Sequence, residues 1–138
     1  MKNYRVGFML MAFLMFSCNN KYPLKLGGKY ILDIDGNSRF CVIDSQNTAI
    51  INSAIVELNY NSQFIIAKQK PADMILGNHP NSNINIETRE NMMKESSIHY
   101  YWIIDKATNV IYGPLSNSDY VKDRIKLDIP QNLELKQL

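Results

Sequence analysis

Apolar and polar side chains alternate along much of this chain with a period of two, the spacing that turns one face of a β-strand to a core and the other to water. Tyr30, Leu32 and Ile34 alternate with Lys29 and Asp33, the turn formers Asp35-Gly36-Asn37-Ser38 follow, and a second apolar run fills residues 40–43. A run, an Asp-Gly turn and a run predict a hairpin. Ala54, Val56, Leu58 and Tyr60 then alternate with Glu57, Asn59 and Asn61, turn at Asn61-Ser62 and continue as Phe64-Ile65-Ile66-Ala67, predicting a second hairpin. Residues 98–105 are β-branched and aromatic and apolar on both faces, which predicts a strand at the centre of the sheet. Lys106-Ala107-Thr108-Asn109 turns it into Val110-Ile111-Tyr112, and Gly113-Pro114 ends this third hairpin.

Helical signals come late in the chain. Ser116-Asn117-Ser118-Asp119 offers capping oxygens to a helix running to about Lys126, with Val121 and Ile125 one turn apart on its expected inner side and Pro130 beyond its end. Residues 86–96 predict a second, short helix, although Ile86, Met92 and Met93 follow no stripe, and Leu133-Glu134-Leu135-Lys136 alternates as a last edge strand. The expectation is one α+β domain over residues 29–138: a mainly antiparallel sheet of five to seven strands built from hairpins, with one C-terminal helix and a second short one.

The beginning of the chain follows a different rule. Met1-Lys2-Asn3-Tyr4-Arg5 carries two basic side chains and no acid, an uncharged run fills residues 6–16, and the run stops at Ser17-Cys18-Asn19-Asn20-Lys21. These are the n-region and h-region of an export signal. A permanent membrane span needs about 20 apolar residues, and this run is too short. A small residue directly before a cysteine at that place resembles the lipobox of bacterial lipoproteins, with residues 1–17 removed and Cys18 lipidated. Residues 18–28 are then the lipidated Cys and a tether.

Processing changes the charge. The chain has 15 Lys and Arg against 13 Asp and Glu, and Lys2 and Arg5 leave with the signal, so the mature part balances 13 against 13. No basic excess remains to suggest nucleic acid or an anionic membrane surface. Removing the first 17 of 138 residues leaves 121, enough for one core. Of the two cysteines, Cys18 takes the lipid and Cys41, in Arg39-Phe40-Cys41-Val42-Ile43, reads as a buried inert thiol.

Other spots invite a chemical reading. Asp33-Ile34-Asp35-Gly36-Asn37-Ser38 has the Asp/Asn rhythm of a calcium loop, but in an EF-hand begun at Asp33 the glycine should fall at Ser38 and the final Glu at Asp44, so a turn is expected instead. His79 in Gly77-Asn78-His79-Pro80 and His99 on a strand form no ligand pair at a familiar spacing, and no metal or cofactor is expected. No Gly-x-Ser-x-Gly and no glycine-rich phosphate loop occurs. Tyr100, Tyr101, Trp102 and Tyr112 could form an aromatic platform, although on a central strand such residues are ordinarily core. Residues 70–85 are long for a connection, rich in Asn and Pro, and carry the apolar triplet Met74-Ile75-Leu76. With His79 they form a candidate partner-binding loop, the alternative being that the triplet tucks under the sheet.

Phe64-Ile65-Ile66-Ala67, Tyr101-Trp102-Ile103-Ile104-Asp105 and Gly113-Pro114-Leu115 resemble a small family of uncharacterised bacterial secreted or lipid-anchored proteins, classed as a domain of unknown function. That resemblance covers most of the mature chain and implies no activity. The function expected is a non-catalytic binding or accessory lipoprotein of the cell envelope, held to the cell membrane or outer membrane and facing the periplasm, with an envelope protein as its partner. The alternative is an immunity or inhibitor lipoprotein that neutralises a toxin or a cell-wall enzyme.

Overall fold

The computed structural model describes residues 21–77 and 84–138. The chain is α+β, and its antiparallel strands are β1 (Leu24–Gly27), β2 (Tyr30–Ile34), β3 (Phe40–Asp44), β4 (Ala49–Tyr60), β5 (Phe64–Gln69), β6 (Tyr100–Asp105), β7 (Val110–Leu115) and β8 (Lys136–Gln137). Helix α1 spans Ala72–Leu76, α2 Ile86–Glu95 and α3 Asn117–Lys126. Strands β1 to β7 lie side by side in chain order, and β8 joins β4.

Local chemistry explains why neighbours in sequence are neighbours in the sheet. At four turns a side-chain oxygen accepts the amides that the bend frees. Asp35 Oδ1 accepts from the N–H groups of Asn37 (2.8 Å) and Arg39 (3.0 Å), and Asp44 Oδ1 from those of Gln46 and Thr48 (2.9 Å each). Asn61 Oδ1 accepts from Gln63 and Phe64 (2.9 and 2.7 Å), and Asp105 Oδ1 from Ala107 (2.9 Å). Asx side chains favour turns because they mimic a backbone acceptor at no cost in reach. The three hairpins expected from the alternation are all present, and residues 35–38 form a turn.

The turn acids carry a pH dependence. The N–H of Thr48, first among several causes, holds the Asp44 carboxyl below the usual carboxylate range, with help from Gln46, Lys29 and the Thr48 hydroxyl against desolvation. A carboxyl with a lowered folded pKa contributes stability above its unfolded pKa and loses it as pH falls through the folded value. Asp44→Asn keeps the acceptor but not the charge. Its melting temperature should therefore trail the native protein at neutral pH, with the gap closing below about pH 4. A gap independent of pH would show that charge is not involved.

Strand β4 organises the rest. Its first half pairs with β3, Ile55 pairs with both Phe40 and Gln69, and its second half pairs with β5, with register shifts at the changeover. β8 pairs with Glu57 and Leu58, along the β4 edge that β3 has vacated. Two half-sheets, β1–β4 and β4–β7, thus share one strand and close over a common core in which Leu26, Tyr30, Leu32 and Val42 of the first meet Ile65, Ala67 and Ile104 of the second. Lys106 donates to the Leu26 carbonyl (2.7 Å) and the Tyr30 hydroxyl to Asn109 Oδ1 (3.3 Å), so the β6–β7 turn is tied back to β1 and β2. The outer face of β5 and β6, with Phe64, Ile66 and Ile103, is covered by Tyr120 of α3 and by Ile129 and Leu133 of the C-terminal segment. α1 and α2 contribute Ala72, Leu76 and Met93 to a smaller cluster over Ala54.

Three expectations need correction. β6 is second from the sheet edge, because its two apolar faces answer to two different covers and not to a central position. β1 lies within the stretch expected to be tether, and its Leu26 is fully buried. On α3 the inward residue is Tyr120, while Val121 and Ile125 face out, 48% and 77% exposed. Tyr120 stacks on Tyr101 (ring centroids 4.9 Å), and this pairing sets the rotation of the helix.

Candidate functional site

The apolar triplet of the candidate loop is a helix. Within α1, Leu76 is buried, Ile75 packs beside it, and Met74 stands 57% exposed with its sulfur accepting from the Tyr100 hydroxyl at 2.8 Å. Two of the three side chains thus belong to the satellite core. His79 and Cys18 lie outside the described residues. His99 is the one histidine among the described residues, its Nδ1 2.8 Å from the Ser97 carbonyl oxygen.

The aromatic residues do not form a platform. Tyr101 turns to α3, while Trp102 is half-buried against the main core and donates from Nε1 to Gln69 Oε1 at 2.8 Å. Gln69, itself buried, passes the link on by donating to the Asn52 carbonyl at 2.6 Å. The indole is therefore a structural member of the inner face.

Cys41 is half-buried, with Sγ 3.6 Å from the Asp33 carbonyl oxygen. Burial, reinforced by the carboxylates of Asp33 and Asp35, pushes its thiol pKa up. A thiol with a raised pKa is a poor nucleophile. At neutral pH the folded protein should react with iodoacetamide several-fold more slowly than the same chain in denaturant, followed by mass spectrometry; equal rates would place the thiol in open solvent.

The fold forms two concave surfaces that the sequence pattern does not predict. The larger, an open groove of about 560 Å³, runs beside α3 and is lined by the buried Tyr120 and Ile129, the exposed Val121 and Ile125, and the polar Asp128, Gln131 and Glu134. Arg124 also borders it, but its guanidinium is spent: it donates to the Tyr120 hydroxyl (3.2 Å) and to the carbonyls of Pro130 (3.0 Å) and Leu133 (2.8 Å), which pins the C-terminal segment. The groove offers apolar contact with a polar rim, the composition of a binding surface. The smaller hollow, about 290 Å³, lies between the β2–β3 turn and the start of α2, where Arg39, Ile86 and Arg89 meet. Sequence could have signalled the first only through Val121 and Ile125, whose spacing is the same for an inner or an outer face. The second joins residues 50 positions apart, and no local pattern reports that.

Among the described residues no group of three or more His, Cys, Asp or Glu is arranged to hold a metal, and no helix is long and apolar enough to cross a membrane. The family model described as protein of unknown function (DUF3997) matches residues 29–138. The chain belongs to the DUF3997 family. The match takes in β2 to β8 and all three helices, and β1 precedes it. No curated protein and no solved structure matches the chain. DUF3997 membership therefore assigns no residue a role.

Proposed function

We propose that this chain is a lipid-anchored, non-catalytic binding domain of the bacterial cell envelope. The observation that carries the reading is the uncharged run of residues 6–16, preceded by Lys2 and Arg5 and ended at Ser17-Cys18, which stands only six residues before the first strand at Leu24. Diacylglycerol on the Cys18 thiol and a fatty acyl group on its amine would supply the two or more chains that stable anchoring needs. The binding part of the reading draws on the groove beside α3, where apolar side chains are left in water on a helix whose inner face is already satisfied.

Cys18→Ala should abolish both uptake of an alkyne fatty acid and fractionation with membranes, while a Cys41→Ser control keeps both. Continued labelling and membrane recovery of the Ala variant would remove the anchor from Cys18.

A further inference from the structure

The tether leaves the fold beside the β2–β3 turn. Tyr22, two residues before β1, packs its ring on Phe40 with centroids 4.9 Å apart, and Phe40 pairs with Ile34 where the turn begins. Turn residues 36–39 form one wall of the smaller hollow, and Ile86, Arg89 and Glu90 of α2 form the other. Ile34, at the end of β2 before this turn, is 41% exposed, and Ile86 in the hollow is 76% exposed. Among the described residues neither Arg39 nor Arg89 makes an ion pair; the Asp35 carboxylate accepts from two amides of its own loop and lies within electrostatic reach of Arg39. Glu90 is the one acid lining this hollow.

We infer that this end of the domain lies on an anionic bilayer surface, with Ile34 and Ile86 in the headgroup region and the guanidiniums of Arg39 and Arg89 on lipid phosphates. The inference rests on the anchor reading above. Leu24 lies six positions after Cys18, and at about 3.3 to 3.6 Å per residue the tether holds this end within roughly 20 Å of the lipid. The Asp44–Thr48 turn lies at the opposite end of β3, one strand length farther away. Charge complementarity selects the surface: planar guanidiniums take phosphate oxygens in pairs, and anionic headgroups attract basic residues held close to them. An exposed isoleucine one helical turn from Arg89, and another at the end of β2 where the turn to Arg39 begins, suit the boundary between headgroups and acyl chains.

The test uses the full chain, extracted from membranes with its lipid and reconstituted into phosphatidylcholine vesicles with or without phosphatidylglycerol. A nitroxide is placed on Ile86→Cys or Ser45→Cys in a Cys41→Ser background. In anionic vesicles the label at 86 should collide several-fold more with lipid-dissolved oxygen than with an aqueous nickel chelate, and the label at 45 should show the reverse. Arg39→Gln with Arg89→Gln should return the label at 86 to water while the protein stays bound and its melting temperature holds. Vesicle-bound protein with both labels equally open to the chelate would overturn the inference and leave the anchor intact. Protein that does not bind vesicles at all would overturn the anchor and the inference with it. A melting temperature raised by inorganic phosphate, with the label at 86 still in water, would assign the two guanidiniums to a soluble anion and overturn the bilayer as their partner.

Discussion

Gly113→Ala should lower the melting temperature by roughly 10–20 °C. A Cβ built on Gly113 would sit 2.5 and 2.7 Å from two ring carbons of Trp102 and 3.0 Å from the Tyr101 carbonyl oxygen, at a φ of +146° that side chains rarely adopt. The carbonyl belongs to the paired strand β6 and cannot retreat. Overpacking of this kind costs about 1–3 kcal/mol and backbone strain a further 1–3, and each kcal/mol is worth about 3–6 °C in a domain of this size. The indole cannot swing aside without breaking its bond to Gln69, whose other end is bound to Asn52. Double-substituted Trp102→Ala/Gly113→Ala should therefore melt much closer to Trp102→Ala alone than additivity requires, because the steric partner is gone. A Gly113→Ala protein that melts with the native one would show that β6 and β7 are not in this register.

Lys106→Met should cost about 2–3 kcal/mol and release β1 first. The ammonium group donates to the carbonyls of Leu26 and Asn61 and stands 5.6 Å from the centre of the Tyr60 ring. No carboxylate pairs with it among the described residues, and desolvation pushes its pKa down. Hydrogen bonds from a charged donor contribute about 1.5–3 kcal/mol each, reduced here because the site is partly open to water. Gly27 makes room for the head of this lysine: a Cβ there would fall 2.8 Å from Nζ, at φ +95°. β1 has four residues and pairs only with β2, so loss of this clamp at its end should expose its amides in hydrogen exchange before those of β5, the most buried strand. Equal protection of β1 in Lys106→Met and native protein would mean that the β1–β2 ladder suffices by itself.

The hairpins were legible because alternation and Asx turn residues agree at each of them. β1 was not, since it is four residues long between Pro23 and Gly28 and its partner lies across a turn of two residues. The alternation marks β4 only from Ala54, because polar Asn52 and Ser53 interrupt the pattern near the place where the strand changes neighbours. The boundaries of α3 follow from Ser116, whose hydroxyl accepts from the Asp119 N–H at 3.1 Å, but its orientation does not. Tyrosine is ambiguous between core and surface, and on α3 the aromatic stack of Tyr120 outweighs the apolar character of Val121 and Ile125. Lys106 sits in the turn where the sequence pattern places it. Its clamp on Leu26 spans 80 positions, which no local rule reaches. Both surface hollows are likewise products of tertiary neighbourhood.

Attachment through Cys18 is the central claim, and the mass of the intact protein recovered from membranes tests it most directly. The result expected is a chain beginning at Cys18, with residues 1–17 missing and the mass of a diacylglyceryl group and a fatty acyl group added. A membrane-bound chain at the unprocessed 15.9 kDa, or a soluble chain beginning at any residue other than Cys18, would contradict it.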